Sequence, residues 1–135
     1  MRREFQDLAK LRADEATILA KNGKQQGAYY LAGLAVECAL KACVAKKTKR
    51  HQFPFGRDYV NEVYQHNLEG LLRVANLEKQ LEGEMKKNPG LAVNWGVVKD
   101  WDVERRYDLS GLKGRDMVAA VTASDGVLQW IQQHW

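Results

Sequence analysis

The chain has 135 residues, with 21 lysines and arginines against 17 aspartates and glutamates, and a formal net charge of +4. This length fits one domain, so residues 1–135 are expected to form a single domain. No apolar run reaches the ~18–20 residues of an uninterrupted membrane span, because Glu37 and Lys41 divide the longest candidate. The first twenty residues are rich in charge, which argues against a signal peptide. The cytoplasm is the expected location, with no membrane partner.

The two cysteines, Cys38 and Cys43, fall in one predicted helix. At 3.6 residues per turn they lie about 140° apart around its axis, so we expect two reduced, buried thiols that do not face each other. The sequence contains no metal-ligand spacing, no Gly-rich phosphate loop and no nucleophile elbow. We therefore expect no metal and no cofactor, and the indication of an enzyme is weak.

Two long helices are predicted in the first third of the chain. The first runs from about Arg3 to Asn22 and stops at Asn22-Gly23, because glycine accepts the left-handed conformation that ends helices. The second, from about Lys24 to Lys47, is apolar on nearly every face. Such a helix is buried at the centre of a bundle or in an interface between chains. Its many glycines and alanines make it thin, so neighbouring helices can approach closely.

The rest of the chain shows helical periodicity interrupted by two loops, and no sustained alternation typical of strands. The predicted segments are a basic loop over Thr48–Tyr59, helices over Asn61–Asn76, Glu78–Lys87 and Leu91–Asp100, a loop over Asp100–Lys113, and a final helix over Gly114–His134. The fold class is therefore all-α, an up-and-down helical bundle of about five helices. We expect a homodimer, since the second and last helices offer more apolar surface than a small bundle easily hides.

Positive charge is concentrated after the second helix. No acidic residue lies between Glu37 and Asp58, whereas bases accumulate there. The candidates for nucleic-acid binding in this stretch are Lys46, Lys47, Lys49, Arg50, His51 and Arg57. From Asp58 to Glu104, nine acids stand against five bases. One end of the bundle is expected to be positive and to attract phosphates. The alternative is a solvated helix end whose lysines complement the helix dipole; the sequence leaves both open.

Glu37 and Lys41 share one face of the second helix at i, i+4 spacing. Because burying charges is costly unless they are paired, they predict either an internal ion pair that fixes helix register or a polar pocket. The loop residues Arg105, Arg106 and Tyr107 also permit two interpretations. Arginine suits bidentate phosphate contacts and the aromatics can stack on bases, or an arginine clamps the loop to Glu37.

Each of the three histidines is a candidate general base, because histidine is the usual base near neutral pH. His51 lies in the basic loop and is the one of the three that we expect to meet a phosphate. For His66, a place at the polar start of a helix explains the residue as well as catalysis does. His134 is expected to be inert at a frayed chain end. For each, the structural interpretation is favoured over catalysis.

Residues Gly27–Ala42, with the sequence GAYYLAGLAVECALKA, closely resemble the second helix of HEPN-domain proteins. The segment His66–Leu72 resembles that family's helix with a histidine followed by Leu and Leu-Leu, and Trp101–Tyr107 resembles its Trp…Arg-Tyr stretch. The resemblance implies a bundle of about five helices that commonly pairs into a dimer. Some members are ribonucleases, often the toxin of a toxin–antitoxin pair beside a small nucleotidyltransferase. Others bind nucleotides or RNA without catalysis.

HEPN ribonucleases carry an arginine, four to six residues, then a histidine. No arginine stands at that distance before His51, His66 or His134. The expected function is therefore non-catalytic binding of a nucleotide or RNA. The candidate ligand-binding residues are Glu37, Lys41, His66, Arg105, Arg106 and Tyr107.

Two alternatives stay open. One is a divergent ribonuclease that uses Arg105 or Arg106 with His66 or Tyr107, and the other is a protein-interaction module. The expected partners are a second copy of the chain, a nucleotide or RNA, and a nucleotidyltransferase.

Overall fold

The computed structural model describes residues 1–47, 65–104 and 113–135, and these ranges form seven α-helices and no strand. The helices are α1 (Arg2–Lys21), α2 (Gln25–Lys47), α3 (Leu68–Val74), α4 (Glu78–Lys87), α5 (Pro89–Val98), α6 (Gly114–Thr122) and α7 (Val127–Gln132). The all-α class is confirmed for the described part of the chain. The described residues form seven helices, whereas a bundle of about five was expected.

A tight turn joins α1 to α2 and makes them neighbours. Gly23 has a φ of +73°, its N–H donates to the carbonyl of Ala20, and the N–H of Lys24 donates to the carbonyl of Leu19. This pair of bonds is the Schellman motif, which caps the last carbonyls of a helix. The predicted stop at Asn22-Gly23 is confirmed. Because the connection is so short, α1 returns antiparallel along α2, and the start of α1 lies beside the end of α2.

Helix α2 is the centre of the bundle and contacts α1, α3, α6 and α7. Most of its residues from Ala28 to Val44 are buried. By length and composition alone it is long and apolar enough to cross a membrane, despite Glu37 and Lys41, but 67% of its most apolar window is buried within the bundle. A core helix passes the same test, so this property does not decide the location of the protein.

Small side chains bring the neighbours of α2 close to its backbone. The face of α1 that is buried consists of four alanines, Ala9, Ala13, Ala16 and Ala20, and α1 and α2 form the most extensive helix contact among the described residues. Further along α2, the indole of Trp101 lies over Gly33, where an added Cβ would come within 2.2 Å of the ring. As the sequence predicts, the small residues of α2 let neighbouring elements pack close to its backbone.

The prediction of one continuous final helix is wrong, because a turn separates α6 from α7. Ala123 adopts an extended conformation with ψ of 163°, Gly126 precedes α7 with ψ of 165°, and the Gly126 N–H donates to the Ala123 carbonyl. Ser124, Asp125 and Gly126 favour turns over helix interiors. The break also lets Asn94 of α5 donate to the Asp125 carbonyl at 3.0 Å.

Two other predicted boundaries change. The third helix was expected from Asn61, but within the described residues it begins at Leu68, because the Asn67 side chain caps it by accepting from the Gly70 N–H at 2.9 Å. The next two helices follow each other directly. Asn88 ends α4 and caps α5, with Pro89 at the first helical position, where its missing N–H costs nothing.

Candidate functional site

One acidic side chain is buried in the described part of the chain, and two bases contact it. Glu37, in the middle of α2, is 4% exposed. Its Oε2 lies 3.4 Å from the Lys41 Nζ, and its Oε1 lies 2.6 Å from the His66 Nδ1. We call Glu37, Lys41 and His66 the Glu37 cluster. Each carboxylate oxygen thus has its own partner, as a buried charge requires.

The start of α3 places His66 against α2. His66 immediately precedes Asn67, the N-cap of α3, and α3 is anchored by Leu68, Leu71 and Leu72, all buried. Burying a leucine contributes about 1.5–3 kcal/mol, so the position of the histidine follows from hydrophobic packing. Since the carboxylate can only accept, Nδ1–H is the donor to Glu37. The other ring nitrogen, Nε2, has no hydrogen-bond partner among the described residues, and the side chain is 55% exposed.

His66 lines an open cleft of about 400 Å³. The other described residues that line it are Asn67, Glu69, Lys99, Asp100, Trp101, Asp102 and Val103. Three carboxylates against one lysine repel phosphates. Among the described residues, no group of three or more histidines, cysteines or acids is close enough to hold a metal ion. The described residues of the cleft therefore do not favour an anionic ligand, although the cleft adjoins the Glu37 cluster.

The structure thus supports the internal ion pair over the polar pocket for Glu37 and Lys41. It adds His66, a partner that the sequence alone did not assign. The remaining candidates for the ligand pocket, Arg105, Arg106 and Tyr107, lie outside the described residues. The arginine clamp on Glu37 stays a prediction.

A second cluster of chemistry-bearing side chains lies where α1 begins and α2 ends. The antiparallel hairpin places Arg2 at the same end as Lys46 and Lys47. Burial raises the pKa of Cys43, and all three cations lie near enough to oppose this increase. We call Arg2, Lys46 and Lys47 the basic end. Lys46 and Lys47 are exposed. The basic candidates that follow them, Lys49, Arg50, His51 and Arg57, lie outside the described residues.

The last residues of the chain pack against the basic end and are not frayed, contrary to expectation. The His134 N–H donates to the Ile131 carbonyl, and its ring lies 4.6 Å from that of Trp130. Burial lowers the pKa of His134, and Lys46 and Lys47 lower it further, opposed by Glu84. The ring is therefore neutral at pH 7. The Arg2 Nη2 donates to the Trp135 carbonyl at 2.8 Å.

The two cysteines are free and buried. Burial raises the pKa of Cys43 to about 11 and also raises the pKa of Cys38, on which the neighbouring Glu37 acts in the same direction. Thiols held protonated in this way are poor nucleophiles. This agrees with the expected structural role for both.

No protein-family model, no curated protein and no solved structure matches this chain. The HEPN resemblance, the nucleotidyltransferase partner and the cytoplasmic location therefore stay predictions.

The Glu37 cluster can be tested by removing its charge. Changing Glu37→Gln leaves Lys41, with an 11% exposed side chain, beside a neutral amide. Loss of one partner of a buried pair costs about 3–5 kcal/mol; since His66 is half exposed, we expect the lower end, about 3 kcal/mol of unfolding free energy, in urea denaturation. Adding Lys41→Met removes the orphaned charge and should restore part of the loss.

The matched control is Glu15→Gln, which breaks the partly exposed Arg12–Glu15 pair on α1. We expect it to cost less than about 0.5 kcal/mol. Equal costs for the Glu37 and Glu15 variants would show that the Glu37 cluster does not constrain the fold.

Proposed function

We propose that the chain is a HEPN-type helical domain that binds the phosphates of RNA or of a nucleotide at its basic end without cleaving them. The observation that carries this proposal is the convergence of Arg2 with Lys46 and Lys47 at one end of the α1–α2 hairpin. Two adjacent exposed lysines and an arginine from a second helix form a positive surface of the kind that attracts phosphate.

The fold supports the HEPN part of the proposal through a contact between two segments that carry the resemblance. Glu37 belongs to the Gly27–Ala42 segment and His66 begins the His66–Leu72 segment. The two side chains meet at 2.6 Å, and the first segment is the buried centre of the bundle. Residues that the resemblance singles out are therefore joined by a specific interaction, although they are distant in sequence.

One observation favours a second candidate, a divergent ribonuclease. A histidine held through Nδ1 by a carboxylate, with Nε2 free, is the arrangement of many general bases. Against it stand the acidic lining of the adjoining cleft and the missing Arg-x4–6-His spacing. Binding without cleavage is therefore the leading proposal.

The proposal predicts that reversing the charge of the basic end weakens RNA binding. We expect Lys46→Glu/Lys47→Glu to reduce affinity for a short RNA at least about tenfold near 0.1 M salt, and to lower the slope of log affinity against log salt by about 1–2, since two phosphate contacts are lost. Filter binding or fluorescence anisotropy across a salt series measures both quantities.

The control is Lys21→Glu/Lys24→Glu, at the opposite end of the same hairpin. This control changes the net charge by the same amount as the test variant. Like the test variant, it also places an acid in the last turn of a helix, here α1. Lys24 and Lys46 are 22 positions apart, which corresponds to about 33 Å of helix, well beyond the screening length of about 10 Å at 0.1 M salt. Equal weakening by both variants, or no binding by the native protein, would contradict the proposal.

The same reactions run on a denaturing gel decide between the two candidates. Intact RNA supports the binding module. Cleavage that His66→Ala abolishes and Glu37→Gln reduces would establish the ribonuclease instead.

We also propose that the domain is a homodimer. Helix α2 is enclosed within one chain, so the apolar surface left for a partner lies elsewhere. Leu11 and Ile18 on α1 are 50% and 60% exposed, and at i, i+7 spacing they share one face. Light scattering at micromolar concentration should give twice the 15.4 kDa of one chain.

Replacing both side chains, as Leu11→Glu/Ile18→Glu, should yield monomers. The control Val93→Glu/Val97→Glu changes the exposed apolar pair on α5 and should leave the dimer intact. A native protein with the mass of one chain would refute the proposal.

A further inference from the structure

Trp135 differs from the other tryptophans of the chain in its exposure. Trp95, Trp101 and Trp130 are 8%, 4% and 6% exposed, and they belong to the core. Trp135 is half-buried and packs against the edge of that core. It therefore keeps part of its surface in solvent, and its backbone oxygen bonds to Arg2 of the basic end.

Two cations contact Trp135, one over its ring and one at its backbone. The Lys10 Nζ lies 5.7 Å from the centroid of the Trp135 ring, and the Arg2 guanidinium bonds to the Trp135 carbonyl. Lys46 and Lys47 lie within electrostatic range of the adjacent His134. Trp135 thus lies next to Arg2, one of the groups proposed to contact phosphates, and has Lys10 over its ring.

A partly exposed aromatic residue beside a positive surface fits one ligand chemistry particularly well. In a single strand, each base can leave its neighbours and stack on a side chain while its phosphates contact lysine or arginine. In a duplex, the base faces are already stacked and offer only phosphates. An acidic protein segment would pair with the cations but would gain little from contact with the indole.

We propose that the basic end binds unpaired RNA, with one base stacked on the indole of Trp135. This inference rests on the proposed function and names its ligand class. Lys46, Lys47 and Arg2 contact the backbone of the strand, and Trp135 contributes affinity that does not depend on salt. Because every base has a π face, the preference is for single strands and not for a sequence.

Intrinsic tryptophan fluorescence provides a direct test. A twelve-nucleotide single-stranded RNA is titrated into the protein, in parallel with the same strand annealed to its complement. We expect the single strand to bind about tenfold more tightly than the duplex, in keeping with the usual contribution of one stacked base, and to quench the fluorescence. The three core tryptophans are shielded, so Trp135→Phe should abolish the quenching.

Two variants separate stacking from packing. Trp135→Phe keeps an aromatic face and should retain affinity for the single strand within about threefold, whereas Trp135→Leu fills similar space without one and should lose about tenfold. The affinity of both variants for the duplex should equal that of the native protein. Loss of duplex binding by Trp135→Leu would indicate a structural role and overturn the inference.

The failures of the two proposals are distinguishable. Salt-dependent RNA binding without quenching or single-strand preference overturns the stacking on Trp135 and leaves phosphate binding standing. Absence of RNA binding under all conditions overturns the proposed function as well. Polyglutamate that binds as tightly as the single strand would identify an acidic protein as the partner and overturn the RNA assignment.

Discussion

The close approach of other elements to the backbone of α2 is the constraint on which the rest of the structure depends. Alanines of α1, such as Ala9 and Ala16, are fully buried on the face that packs there, and the Trp101 indole lies directly on Gly33. Because protein interiors are close-packed, a contact of this kind fixes the position of both elements. It holds α1 antiparallel to α2 and so determines which residues meet at each end of the hairpin.

The charged residues of α2 have two different roles. Glu37 lies inside the bundle, where its carboxylate bonds to Lys41 and His66 and ties α3 to α2. Lys46 and Lys47 lie in the last turn, where they complement the helix dipole and remain exposed. The buried acid is thus satisfied locally, and the positive charge at the end of the helix remains open to a ligand. The two interpretations of the lysines, helix capping and phosphate binding, are compatible.

Local patterns predicted the parts of the fold that local chemistry determines. The apolar composition of α2 indicated its burial, and Asn22-Gly23 indicated the stop of α1. The turn at Ser124–Gly126 carried an equally local signal, but the apolar periodicity on both sides of it favoured one continuous helix. The partnership of His66 with Glu37 and of Arg2 with Trp135 depends on packing between distant segments. Spacing along one helix reveals Lys41 as a partner of Glu37, but it cannot reveal a histidine 29 residues away.

The most direct test of the close approach to α2 is the unfolding free energy of Gly33→Ala, compared with Gly83→Ala on α4 by urea denaturation. An added Cβ at Gly33 would meet the Trp101 ring at 2.2 Å, whereas at Gly83 it would meet nothing within 4 Å. We expect Gly33→Ala to lose about 1–3 kcal/mol through overpacking and Gly83→Ala to gain about 0.5–1 kcal/mol from better helix propensity. A Gly33→Ala protein as stable as the native one would contradict the central position of α2.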